Sequence, residues 1–506
     1  MIERLTSERA ARIASWAVPV AVTAVAAATR IIGVGGPHEL IFDETYYVKD
    51  AWTLLHLGYE AQWGDDPNPA FESGATGGYT AEGSFVAHPP LGKWIIAIGM
   101  MIFGGDSTFG WRIMTALVGT ALVPLLYVVA KRLTRSVPMA GIAALLLAID
   151  PLAISMSRVA LLDTHLAFFI LLGFWFALID RHETIERIRR GAVADRIAGP
   201  VVWRRPWLIA AGVSMGLASG VKWSGLYALA VLGIAVVVAD AVDRRRAGVD
   251  RWVEAAIGRQ GPASFVLLVP PAIVAYVVTW TGWLVTSGGY ARDSKSNAFA
   301  ALLEYHRQIL QFHESVQSPH TYASPAWEWI PMLNPTLMYR EASDGQVGLM
   351  AALPNPILWW VGVLVVVWFA VRLVVSVVRR TEIIGREAFV LVGVAATYIP
   401  WLALPKRTMF SFYAITLLPF VIVGVVIALQ NMRRPVRPVL LDDPTEAEIA
   451  VATARATTAT DARRTVASIA VVVFVVVGLF FLPYGTGLME PEALYRAHLW
   501  LPSWFL

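Results

Sequence analysis

Apolar runs long enough to cross a bilayer alternate with short clusters of Arg and Lys along the whole chain, and this pattern restricts the fold more than any other feature. A hydrocarbon core of about 30 Å needs roughly 17–25 mostly apolar helical residues. That ruler predicts spans near Ile13–Ile32, Arg112–Ala130 and Val137–Ile149, the third continuing toward Ser155. Further spans fit Leu161–Ile179, Trp207–Val221, Leu226–Val242, Phe265–Thr286, Ile357–Val378, Ala388–Leu404, Thr408–Leu429 and Ala467–Tyr484. The expectation is an all-α polytopic membrane protein with about eleven transmembrane helices. Composition agrees: 57% of the 506 residues are hydrophobic, 15% are charged and the mean hydropathy is +0.59, too apolar for a soluble domain. The small residues of Val20–Thr29 superficially resemble a signal-peptide cleavage site, but the run around them is long enough to span.

Leu91–Gly104 is apolar but only about fourteen residues long, a length that suits an interfacial helix. Counting it as a span would move every later loop to the other side. Without it, Lys131-Arg132, Arg187 to Arg190, Arg244–Arg246, Arg379-Arg380 and Arg433-Arg434 all share the side of the N-terminus. Roughly two-thirds of the 41 Lys and Arg then lie on that side, which is therefore cytoplasmic. The C-terminus is expected outside. Gly33–Trp111 and Ser287–Pro356 become two large outer loops, and Gln430–Ser468, with no apolar period, a flexible cytoplasmic tether. The net charge of +4 is thus explained by loop asymmetry, and no nucleic-acid partner is expected.

Ionisable residues at or near membrane depth are costly, so each is a functional candidate. Most of them fall on the outer side. The first outer loop carries Asp43-Glu44 soon after the first span and closes with His88-Pro89-Pro90-Leu91-Gly92-Lys93, where the prolines suit a helix start. Arg30 ends the first span, Arg112 begins the second, Arg158 and Asp163 flank the next outer turn, and Lys222 follows the fifth span. A carboxylate beside several cations at a lipid boundary suits deprotonation of a hydroxyl coupled to departure of a phosphate. Bland readings compete with each: a solvated acid pair, a helix-end ion pair for Arg158 with Asp163, a snorkelling Lys222. Histidines 306, 313 and 320 lie near acids, but their spacing fits no zinc signature, and Asp65-Asp66 does not make a nucleotide-sugar motif. No Gly-rich phosphate loop occurs. With no cysteine, disulfides and thiolate chemistry are excluded. Neither metal nor cofactor is expected.

Phe42-Asp43-Glu44, His88-Pro89-Pro90-Leu91-Gly92-Lys93, Ser157-Arg158-Val159-Ala160-Leu161-Leu162-Asp163 and Gly220-Val221-Lys222-Trp223-Ser224-Gly225-Leu226-Tyr227, in that order, resemble the protein O-mannosyltransferases. The similarity continues through Ser318–Trp329 and covers nearly the whole chain, residues 1–506, as one membrane domain. The resemblance implies the GT-C glycosyltransferase fold, with juxtamembrane helices in the first outer loop. It implies a polyprenyl-phosphate mannose donor, itself a substrate, and Ser/Thr acceptors on secreted or membrane proteins, mannosylated with inversion on the outer face of the cytoplasmic membrane. The loop at Ser287–Pro356 is too short for the β-trefoil MIR domain of eukaryotic members, which points to the bacterial branch. The resemblance carries over Asp43 as catalytic base with Glu44 beside it in the site, and places Arg112 and Arg30 near the donor phosphate. Roles for His88, Lys93, Arg158, Asp163 and Lys222 in donor binding follow less directly. The rivals are a GT-C enzyme with a glycolipid acceptor and a secondary transporter, whose binding residues would lie at mid-membrane.

Overall fold

The computed structural model describes residues 2–317, 319–381, 385–440 and 444–504, with side chains from residue 13 onward. Ser318, which opens the Ser318–Trp329 stretch, and residues 441–443 of the expected tether lie outside the described residues. The principal helices are α1 (Ile2–Ile31), α2 (Glu44–Leu57), α3 (Leu91–Phe103), α4 (Thr108–Thr134), α5 (Val137–Ala148), α6 (Pro151–Arg158), α7 (Asp163–Ala194) and α8 (Pro206–Val221). They continue as α9 (Ser224–Arg246), α10 (Gly261–Thr279), α11 (Ala298–Ser315), α12 (Pro356–Val378), α13 (Gly385–Thr397), α14 (Leu418–Met432) and α15 (Glu446–Phe480).

Every expected span has a helix at its place, but length divides them. Among the described residues seven helices are long and apolar enough for a full crossing: α1 from Ile13, α4, α7, α9, α10 extended back to Trp252, α12 and α15. The pair α5 and α6 adds one more if its 55° bend is allowed. The bend falls where Pro151 ends hydrogen-bond continuity and the Asp150 carboxylate caps the new helix by accepting from the Ala153 N–H at 3.2 Å. The remaining three expected spans map to α8, α13 and α14, of 16, 13 and 15 residues. At about 1.5 Å per residue these fall short of a 30 Å core, so the expected count of eleven is not met by length. In α8 and α14 the apolar surface faces protein: most of α14, from Leu418 to Ile427, is buried.

Small residues bring α8 against α10. Gly212 and Gly216 on α8 face the Leu268 and Ala272 carbonyl oxygens of α10, where a Cβ would overlap them. This is the close backbone approach that lipid-embedded helices use in place of hydrophobic association.

The outer loops are more structured than a purely helical chain. The first holds α2 and α3, as the resemblance implies, together with a two-stranded sheet of β1 (Ala61–Trp63) and β2 (Tyr79–Gly83). The second holds α11 and a hairpin of β3 (Leu337–Ser343) and β4 (Gln346–Ala351), joined by β5 (Glu490–Pro491) into an antiparallel sheet of order β3-β4-β5. These short strands lie in the outer loops of a fold that is otherwise helical, as expected.

The expected tether at 430–468 is corrected too. Helix α15 starts inside it at Glu446, with a capping box in which the Thr445 hydroxyl accepts from the Glu448 N–H and the Glu448 carboxylate accepts from the Thr445 N–H at 2.9 Å. Ala, Glu and Arg are strong helix formers, and the apolar half of the same helix removes the cost of nucleation.

Candidate active site

Helix α2 starts immediately after a tight turn. Phe42 sits at φ +51°, an unusual conformation for an aromatic residue, and its ring meets His320, Phe410 and Phe412 edge-on at centroid distances of 5.6–5.9 Å. The aromatic surroundings hold a conformation that costs about 1–3 kcal/mol elsewhere. The turn places Asp43 at the N-cap with no side-chain capping bond, so its carboxylate is left for other partners. Among the described residues its hydrogen-bond donor is the Tyr47 hydroxyl, at a long 3.4 Å. Burial pushes the Asp43 carboxyl above the usual carboxylate range; Lys222 is the main opposing charge, and Asp163 adds to the rise.

Glu44, one residue on, points elsewhere. One carboxylate oxygen accepts from Arg112 Nε at 2.7 Å and the Ala160 N–H at 2.7 Å, the other from Arg112 Nη2 at 2.6 Å and the Ile41 N–H at 3.1 Å. Arg112 also donates to the Pro37 and Glu39 carbonyls, at 2.7 and 2.8 Å. Both side chains are completely buried. Glu44, expected in the substrate site, and Arg112, expected at the donor phosphate, bond to each other: the fork–fork pair fixes the turn that presents Asp43, and four of the guanidinium hydrogens are engaged by protein oxygens.

Arg30 and Arg158, also expected at the donor, bond to backbone carbonyls. Arg30 donates to the Ala148 and Leu147 carbonyls at 2.9 and 3.0 Å, closing the end of α5. Arg158 donates to the Ile32 and Gly33 carbonyls at 2.7 and 2.9 Å, closing the end of α1. A cation at a helix C-terminus satisfies carbonyls that have no intrahelical partner. Lys93 is buried in a triad with Glu60 and Asp50, and donates to the His88 carbonyl at 3.2 Å. Four of the cations gathered in sequence on one face, Arg30, Lys93, Arg112 and Arg158, thus have protein partners in this structure.

Three expected residues do meet. Asp163, Lys222 and His88 line a cavity of about 620 Å³ between α7, α9, α11, α13 and the segment 401–416. Lys222 Nζ donates to Asp163 Oδ2 at 2.6 Å and lies 5.0 Å from the Tyr413 ring centroid. Asp43 is not a wall of this cavity but stands beside that pair, close enough for both charges to act on it. His88 is half-buried, its ring between those of Tyr47 and His313 at 6.2 and 5.6 Å, with Nδ1 buried and unpartnered. Burial, helped by Lys222, holds its imidazole well below the ordinary histidine range, so it stays neutral. The inner wall, with Leu166, Ile170 and Ala396, is apolar.

Sequence reasoning missed the contribution of the C-terminal half: Trp401, Lys406, Arg407 and Tyr413 also line the cavity. A signal existed. Lys406 and Arg407 form a basic pair in a turn that the charge bias assigns to the outer side, against the trend of the other clusters. Among the described residues no group of three or more His, Asp or Glu is arranged to hold a metal ion.

The model of the family described as dolichyl-phosphate-mannose-protein mannosyltransferase matches residues 20–284, and that of the C-terminal four-transmembrane region of protein O-mannosyltransferases matches residues 298–504. The polyprenol-phosphate-mannose–protein mannosyltransferase of Mycobacterium tuberculosis is 31% identical over 97% of this chain and 92% of its own. That of Corynebacterium glutamicum is 30% identical over 97% and 93%. One chain of the Saccharomyces cerevisiae Pmt1–Pmt2 complex bound to the sugar donor superposes with a TM-score of 0.73 at 13% identity, over 97% of this chain and 93% of that one, a likeness of fold.

Proposed function

The chain belongs to the dolichyl-phosphate-mannose-protein mannosyltransferase family, with the GT-C fold, and from that premise we propose that it moves mannose from polyprenyl-phosphate mannose to Ser or Thr hydroxyls of proteins at the outer face of the cytoplasmic membrane. The observation that carries the reading is a half-buried, uncapped carboxylate, Asp43, beside the Asp163–Lys222 pair that lines a cavity with an apolar inner wall and a cationic rim. Asp43 accepts the proton of the acceptor hydroxyl as its oxygen bonds to the anomeric carbon. The bond from that carbon to the phosphate oxygen breaks, and its electron pair leaves with the polyprenyl phosphate. A single displacement inverts the anomeric centre and needs no enzyme-bound intermediate. Burial makes Asp43 a stronger base than an exposed carboxylate, while nearby Lys222 keeps it ionisable. Neutral His88, with a free ring nitrogen, is suited to bond a sugar hydroxyl. Lys222, held by Asp163, adds positive charge where the phosphate charge develops. The mechanism invokes no metal.

Purified full-length enzyme incubated with polyprenyl-phosphate mannose should mannosylate a Ser/Thr peptide, leave its Ala-substituted counterpart unmodified, and keep its rate in excess chelator. Transfer to a glycolipid in place of the peptide would overturn the acceptor assignment. The N-terminus is placed inside and the C-terminus outside on the charge asymmetry of the loops.

A further inference from the structure

Arg112, Arg30, Arg158 and Lys93, four of the cations that the sequence suggested for the donor phosphate, are all engaged by protein groups. The cavity itself is lined by three cations, Lys222, Lys406 and Arg407, and two carboxylates, Asp163 and Glu314. Lys222 is paired with Asp163. Arg407 forms no ion pair among the described residues, and its Nε is buried without a partner. Its orientation is nevertheless fixed. Nη2 lies 3.2 Å from His313 Nδ1, and the guanidinium packs over the Trp401 ring at 5.4 Å. His313 Nε2 in turn lies 3.1 Å from the Ala87 carbonyl, which must accept, so Nε2 carries the proton and Nδ1 accepts from Arg407. Burial, with Arg407 next, lowers the His313 imidazole to about 4, consistent with a neutral acceptor. An oriented guanidinium with spare donors at the rim of a partly apolar cavity has the form of an oxyanion ligand.

We infer that Arg407, aimed by His313 and Trp401 and assisted by exposed Lys406, binds the phosphate of the polyprenyl-linked donor and stabilises it as it leaves. The inference rests on the proposed use of a polyprenyl-phosphate sugar. It makes the 403–407 strap, between α13 and α14, the donor-recognition element, opposite the Asp43 turn supplied by the N-terminal half. Lys406 on this strap is solvent-exposed and lines the same cavity.

The test uses the full chain in detergent, with undecaprenyl phosphate and undecaprenol as probes of binding and polyprenyl-phosphate mannose as substrate. Arg407→Ala should weaken undecaprenyl phosphate binding on the order of tenfold to a hundredfold, the range of a lost charge-assisted bond. It should leave undecaprenol binding and the KM for peptide unchanged. Arg407→Gln, which keeps hydrogen-bond donors for His313, should show the same selective loss, and it provides the comparison if the alanine variant does not fold. Undiminished phosphate binding in a folded variant, or equal loss for both probes, would overturn the inference. Absence of turnover in the wild-type enzyme would instead count against the proposed function, so the two failures are separable.

Discussion

Glu44 uses both carboxylate oxygens on Arg112 and two backbone N–H groups, while Asp43 beside it receives one long bond from Tyr47, and this asymmetry divides structural support from chemistry. Removing one partner of a fully buried pair leaves an uncompensated charge, a loss of about 3–5 kcal/mol. Arg112→Ala should therefore lower the thermal stability of the whole protein. An unchanged melting temperature with a selective rise in donor KM would restore Arg112 to the phosphate. Asp43 must be ionised to act as a base, and burial raises its pKa, so transfer should fall as pH drops through a value above the ordinary carboxylate range. The acid limb of kcat/KM measures this, and a limb at the ordinary aspartate value would show an unperturbed group. The sequence singled out the Asp-Glu pair as a candidate. Which of the two faces substrate was not, because it depends on Arg112 and Ala160, 68 and 116 residues away from Glu44.

At the scale of elements, each apolar run marked the place of a helix, since hydropathy reports what lipid or a protein core requires. It could not report how far α8 and α14 fall short of a full crossing, because helices buried among others follow tertiary packing. The 430–468 segment was misread because polarity excludes a membrane span but not a helix, and the Thr445–Glu448 capping box was the unread signal. The α8–α10 contact provides a test far from the Asp43 turn. Gly216→Val would press a branched side chain into the Ala272 carbonyl, so it should reduce the melting temperature by several degrees and the yield of folded protein. The same substitution at exposed Gly345, whose φ is +72°, would strain a turn instead and leave α8–α10 packing intact. Equal tolerance of Gly216→Val and wild type in a thermal melt would show that the two helices do not need this approach.

Over the whole molecule, two halves meet at one cavity: the N-terminal half supplies His88, Asp163 and Lys222, with Asp43 beside that pair, and the C-terminal half supplies Trp401, Lys406, Arg407 and Tyr413. The motif order along the first half made it readable. The second half carries few ionisable residues in its spans, and its contribution emerges only when the chain is folded. The proposed orientation predicts that a cysteine at exposed Asp106 labels from outside intact cells, whereas one at exposed Arg245 labels only after permeabilisation. Labelling of both from the same side would reverse the topology. The most direct test of the chemistry compares Asp43→Asn with wild type in parallel assays of mannosyl transfer to a Ser/Thr peptide and of undecaprenyl phosphate binding. Asparagine keeps the shape of the side chain but cannot take the acceptor proton, so transfer should fall on the order of a hundredfold to ten-thousandfold with binding and fold preserved. Near wild-type transfer by a folded Asp43→Asn enzyme would contradict the assignment of Asp43 as the base.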